Sequence, residues 1–91
     1  MNRIALHIWV TGRVQGVWYR QSTKEQAERN GVSGWVKNLS DGRVEALLQG
    51  EANAVRDVEA WMNQGPPLAT VAETIVEQAE VDETLKGFEV H

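Results

Sequence analysis

Thr11-Gly12-Arg13-Val14-Gln15-Gly16-Val17-Trp18-Tyr19-Arg20 joins two segments of different periodicity. Before it, Ile4, Leu6, Ile8 and Val10 alternate with Ala5, His7 and Trp9, the pattern of a half-buried strand over residues 3–10. After it, Tyr19, Thr23 and Ala27 recur every four residues in a polar, helix-favouring stretch that runs to Asn30. The intervening residues 11–18 are therefore a strand-to-helix loop, bracketed by Gly12 and Gly16. Glycine adopts positive φ without strain, so successive N–H groups can turn toward one point. The helix start adds unpaired N–H groups and a partial positive charge. Arg20 adds a planar fork of donors suited to phosphate or carboxylate oxygens. These parts describe an anion cup, with phosphate as its natural guest.

Outward from the cup, Asn30-Gly31 reads as the stop of the first helix. Val32 to Leu39 is a second strand, with Val36 and Asn38 on one face and Trp35 and Lys37 on the other. Ser40-Asp41-Gly42 is a hairpin signal, and Arg43 to Gln49 is the third strand, which Gly50 ends. Residues 52–63 carry Val55, Val58 and Met62 at helical spacing, flanked by Ala54 and Trp61. Gly65-Pro66-Pro67 forces an extended connection to a fourth strand over Ala69 to Gln78. Phe88 and Val90 are candidates for a short closing strand. The order β-α-β-β-α-β is the split βαβ, ferredoxin-like pattern of the α+β class. It predicts an antiparallel four-stranded sheet, extended by that short fifth strand where it forms, with both helices on one face.

Composition narrows the function. Ninety-one residues make one domain, 1–91. A 42% apolar fraction with mean hydropathy −0.40 fits a soluble globular protein. No apolar run is long enough to span a bilayer, and no signal-peptide core precedes the first strand, so no membrane partner is expected. Without cysteine, disulfides, thiolate metal sites and cysteine nucleophiles are excluded, in keeping with a cytoplasmic location. A net charge of −4 argues against nucleic acid as a partner, because nucleic-acid binding relies on clustered Lys and Arg. Attraction of an anion must then come from local donors. Asp and Glu are scattered, so no metal site is expected.

The run Val10 to Arg20 resembles the first motif of the acylphosphatases, a Gly-x-Val-Gln-Gly-Val run ending in arginine. Gly34-Trp35-Val36-Lys37-Asn38, followed by Gly42, Val44 and Gly50, resembles the second. Tyr19 departs from the pattern, which has phenylalanine or methionine there. The resemblance covers nearly the whole chain. It implies a ferredoxin-like fold, hydrolysis of the carboxyl–phosphate bond of acyl phosphates, and no metal or cofactor. Carried over by position, Arg20 would bind the phosphate and Asn38 would orient the attacking water. The substrate-binding set would be Gln15, Gly16, Val17, Trp18, Tyr19 and Arg20. The partners implied are a small acyl phosphate and, at the loop, a phosphate or sulfate anion; a monomer is the default.

The chemistry suits these residue types. An acyl phosphate carries a good leaving group, so phosphoryl transfer to water asks mainly for positioning and charge stabilisation. Asn38 is a weak base and is assigned orientation, not proton abstraction. A binding module of the same fold, without turnover, is the alternative. RNA binding through the open sheet face is weaker still, given the charge. His7 reads as an outward strand residue, Trp61 as packing, and Arg13, Lys24 and Lys37 as solvated. Trp18 lies beside the cup, within reach of an acyl group.

Overall fold

Residues 2–91 are described in a computed structural model. The chain runs β1 (Arg3–Arg13), α1 (Tyr19–Arg29), β2 (Ser33–Asn38), β3 (Val44–Glu51), α2 (Ala52–Met62), β4 (Thr70–Ala79) and β5 (Phe88–Val90). One sheet forms in the order β4-β1-β3-β2-β5. Every neighbouring pair is antiparallel except β2 and β5, which run parallel. The expected ferredoxin-like architecture is present, with a fifth strand that makes the sheet mixed.

The register explains the core. Val10 faces Val44, which faces Asn38; Ile8 faces Ala46, which faces Val36; Leu6 faces Leu48. Directly opposed residues point to the same side of a sheet, so these rows form one apolar face. The predicted helical stripes cover it: Tyr19 and Ala27 from α1, and Val55, Val58 and Met62 from α2, are buried in the same cluster. Asn38 ends the Val10–Val44 row. It is a polar residue at the rim of an apolar face, on the side where the helices pack.

Most boundaries fall within one residue of the sequence reading, and two differ by more. β1 continues through Gly12 to Arg13 instead of stopping at Val10, with a register shift at Thr11/Gly12 against β4. Gly12 therefore belongs to a bulge and not to the loop. Its φ is 122°, and a Cβ there would collide with the Thr70 carbonyl oxygen. β3 likewise runs through Gly50, which is buried, and passes directly into α2. Glu51 caps that helix by accepting a hydrogen bond from the Ala54 N–H at 3.2 Å. Lys24 is also tied down, donating to the Phe88 carbonyl at 3.0 Å and pairing with Glu28 at 2.8 Å.

Candidate active site

With β1 extended to Arg13, the strand-to-helix loop shortens to residues 14–18. Gly16 takes φ 75° with open space around its α-carbon, the conformational freedom the loop requires. Val17 turns its side chain inward and is only 3% exposed, so it offers the site its backbone alone. Trp18 is the N-cap of α1 and sits in the left-handed region (φ 68°, ψ 17°). It is the one non-glycine residue with positive φ among the described residues. Such a conformation costs an L-residue about 1–2 kcal/mol. A tryptophan cap also forgoes the roughly 1 kcal/mol that a Ser, Thr, Asp or Asn side chain contributes there.

The start of α1 is left open electrostatically. Among the described residues no side chain caps it, and no acidic residue lies in its first turn. The Ser22 N–H already bonds the Trp18 carbonyl at 2.9 Å, so the N–H groups of Tyr19, Arg20 and Gln21 precede the intrahelical ladder. Those donors and the helix dipole favour an anion at this end. By contrast, α2 satisfies its own N-terminus with Glu51.

A cleft of about 410 Å³ opens at this helix end. Gly16, Trp18, Arg20, Gln21 and Asn38 line it, with Val14 and Val90. Arg20, in the first turn of α1, donates through Nη1 to the His91 main-chain oxygen and has no side-chain carboxylate partner among the described residues. Asn38 enters from the end of β2. Its Oδ1 is buried and finds no hydrogen-bond partner among the described residues. A buried acceptor left unmade costs about 1–3 kcal/mol, which a donor entering the cleft recovers. A half-turn about χ2 exchanges the amide oxygen and NH2, so either can meet a guest.

Gln15 is placed differently from the sequence expectation. Its side chain does not face the cleft. Nε2 donates to the Leu39 carbonyl at 2.8 Å and the Arg43 carbonyl at 2.9 Å. Both amide hydrogens are thus spent tying the loop to the base of the β2–β3 hairpin, one residue beyond Asn38. Gln15 thus ties the loop to the hairpin beside Asn38. Tyr19 is likewise committed elsewhere. Its ring is 1% exposed against Trp61, with ring centroids 5.8 Å apart, and its hydroxyl donates to the Met62 carbonyl at 2.6 Å. Burial pushes the phenol well above the ordinary tyrosine range.

Of the expected set, the structure brings Gly16, Trp18, Arg20 and Asn38 to one cleft. Tyr19 borders the cleft but buries its ring, and Val17 and the Gln15 side chain point away from it. Val14, Gln21 and Val90 are additions. Val14 and Gln21 flank the loop and the first turn of α1, but Val90 reaches the cleft only because β5 pairs with β2, from Gly34↔Phe88 to Val36↔Val90. His7 lies on the opposite, open face of the sheet, paired with Glu45 at 2.6 Å and stacked on Trp9 at 3.9 Å between ring centroids. Glu45 also meets Lys37 at 3.5 Å, so that lysine is paired.

The sequence model of one family, described as Acylphosphatase, matches residues 6–90. An acylphosphatase of Nitrosococcus oceani is 57% identical over 81 residues, covering 89% of this chain and 90% of that one. An acylphosphatase of Rubrobacter xylanophilus is 53% identical over 85 residues, covering 93% of this chain and 77% of the relative. The solved structure of an acylphosphatase from Coxiella burnetii matches with a TM-score of 0.93 at 38% identity, over 99% of this chain and 94% of that one.

Proposed function

The chain belongs to the acylphosphatase family and is an acyl phosphate hydrolase; we propose that the cleft at the start of α1 is its active site, with Arg20 and the 14–20 backbone binding the phosphate and Asn38 orienting the water. The observation that carries this assignment is the unpartnered, buried Oδ1 of Asn38 in the same cleft as an uncapped helix N-terminus and Arg20. An acceptor for water and a set of donors for an anion converge there.

The reaction breaks the bond between phosphorus and the bridging oxygen. The bridging oxygen leaves with the acyl group as a carboxylate, a leaving group that needs no general acid. Water oxygen forms the new bond to phosphorus from the opposite side, and one of its protons passes to a phosphoryl oxygen. The products are a carboxylate and inorganic phosphate. Backbone N–H groups of residues 14–20 and the Arg20 fork meet the equatorial oxygens, where charge is spread in the transition state. These donors are fixed by the loop and helix before substrate arrives, so no reorganisation is needed during reaction. Asn38 holds water on the in-line side by accepting one of its hydrogens. Inorganic phosphate or sulfate fits the same donors as a competitive guest. A reducing cytoplasm is in keeping with a chain that carries no cysteine.

The test is hydrolysis of benzoyl phosphate, followed by loss of its ultraviolet absorbance, with chelator present. The wild type turns over, while Arg20→Ala and Asn38→Ala each lose about 10²–10³ in rate, the usual cost of one preorganised donor or positioning group. Arg20→Lys also fails, since one ammonium does not reproduce the fork. Full activity in folded Arg20→Ala would move the phosphate site elsewhere, and full activity in Asn38→Ala would remove that residue from the mechanism.

A further inference from the structure

We propose that Trp18 and Val90 form an acyl-group subsite, which selects acyl phosphates whose acyl part is flat, apolar and uncharged, an aryl group above all. The proposal rests on the phosphate assignment above and concerns the other half of the substrate. Among the described residues Trp18 is the most exposed of the large apolar side chains, at 75%. Packing therefore does not explain it. Nor does local structure, since the residue occupies a left-handed, cap position where asparagine or glycine would be less strained. A residue that is costly to the backbone and unburied in the folded chain is accounted for by something it binds.

The cleft supplies the complement. Val90, 37% exposed, and Val14 share it with the indole, while Arg20, Gln21 and Asn38 supply its polar part. One cavity thus has a phosphate-binding region and an apolar lip. Its volume of about 410 Å³ leaves room for a guest larger than phosphate. Among the described residues no charged side chain lines it apart from Arg20, which the phosphate engages. An acyl group bearing an ammonium or a second carboxylate finds no counter-ion there. A planar ring finds an indole face and a valine edge, contacts that aromatic pairs favour beyond area burial.

The experiment compares kcat/KM for benzoyl phosphate and acetyl phosphate in the wild type, Trp18→Asn, Trp18→Phe and Val90→Thr, with the inhibition constant for inorganic phosphate and the melting temperature of each. In Trp18→Asn the benzoyl-to-acetyl ratio falls about tenfold, the upper part of what one aromatic pair contributes. The fall lies in KM. Trp18→Phe restores most of it, and Val90→Thr lowers the ratio by a smaller factor. Phosphate inhibition persists, and Trp18→Asn melts higher than the wild type because asparagine caps the helix and tolerates the left-handed conformation. An unchanged ratio in the folded Trp18→Asn variant overturns the subsite. So does an equal loss for both substrates with weakened phosphate inhibition, which would assign Trp18 to the phosphate cup. Failure of the phosphate reading shows separately, as phosphate inhibition that Arg20→Ala leaves untouched.

Discussion

Gln15→Ala tests whether loop and hairpin are held in register by one side chain. The wild-type amide spends both hydrogens on the Leu39 and Arg43 carbonyls, at 2.8 and 2.9 Å. Each is a neutral hydrogen bond in a partly buried setting, with a net contribution of about 1 kcal/mol. Alanine removes both, while the Leu39 and Arg43 carbonyls keep their backbone donors, the N–H groups of Gly42 and Leu39, so the expected loss is that of the two side-chain bonds, about 2 kcal/mol. For a domain of this length 1 kcal/mol shifts the melting temperature by roughly 4–8 °C, so the expected fall is about 8–16 °C. Gln15→Glu is worse at neutral pH, because a carboxylate facing two carbonyls offers no donor at all. The two carbonyls and partial burial raise the folded-state pKa of that carboxyl, so its deficit relative to alanine shrinks as pH falls from that raised value and is gone below the unfolded value of about 4, where the protonated acid regains one O–H. Activity follows the geometry. Asn38 lies next to Leu39, so a loosened hairpin misplaces the oriented water, and kcat falls more than KM rises. The assays are urea unfolding across pH and benzoyl phosphate hydrolysis on the same samples. If Gln15→Ala unfolds within 0.5 kcal/mol of wild type, the threshold for an unremarkable surface substitution, and kcat is unmoved, the clamp has no energetic role and the argument fails.

Gly12→Ala should destabilise by about 2–4 kcal/mol, measured by urea unfolding, because φ 122° is closed to alanine and its Cβ would strike the Thr70 carbonyl. Tyr19 sets an alkaline limit. Its pKa is raised in the folded state, so its contribution is complete below the unfolded value near 10 and is lost as pH rises toward the folded value, at about 1.4 kcal/mol per pH unit. Tyr19→Phe should cost about 1 kcal/mol at neutral pH by losing the bond to Met62, and should flatten that alkaline decline in urea titrations. Inorganic phosphate should raise the melting temperature of the wild type, by about 2.7 kcal/mol of stability at a hundred times its Kd, and leave Arg20→Ala unmoved in thermal scans. A phosphate-induced rise of equal size in Arg20→Ala would take that side chain out of the cup.

The architecture was legible because it is written in local periods. Alternation at Ile4, Leu6, Ile8 and Val10, and the i, i+4 recurrence of Tyr19, Thr23 and Ala27, report which face of each element is buried without reference to anything distant. The two motifs placed Arg20 and Asn38, and the register of β2 against β3 confirmed that Asn38 shares a face with Val36. Other features depend on pairings that no local pattern encodes. The Gln15 clamp joins residues 24 and 28 positions apart, and the Arg20 contact with His91 spans 71. Val90 reaches the cleft only through the parallel pairing of β5 with β2. The extension of β1 past Gly12 required a facing strand, β4, to stabilise the bulge. The sequence by itself determined the elements, their buried faces and the residue types able to hold a phosphate, because burial periodicity and turn chemistry act over a few residues. Tertiary structure alone decided which of those residues share the cleft and which, like the side chains of Gln15, Val17 and Tyr19, serve the fold instead, because strand order and register set distances between segments remote in sequence.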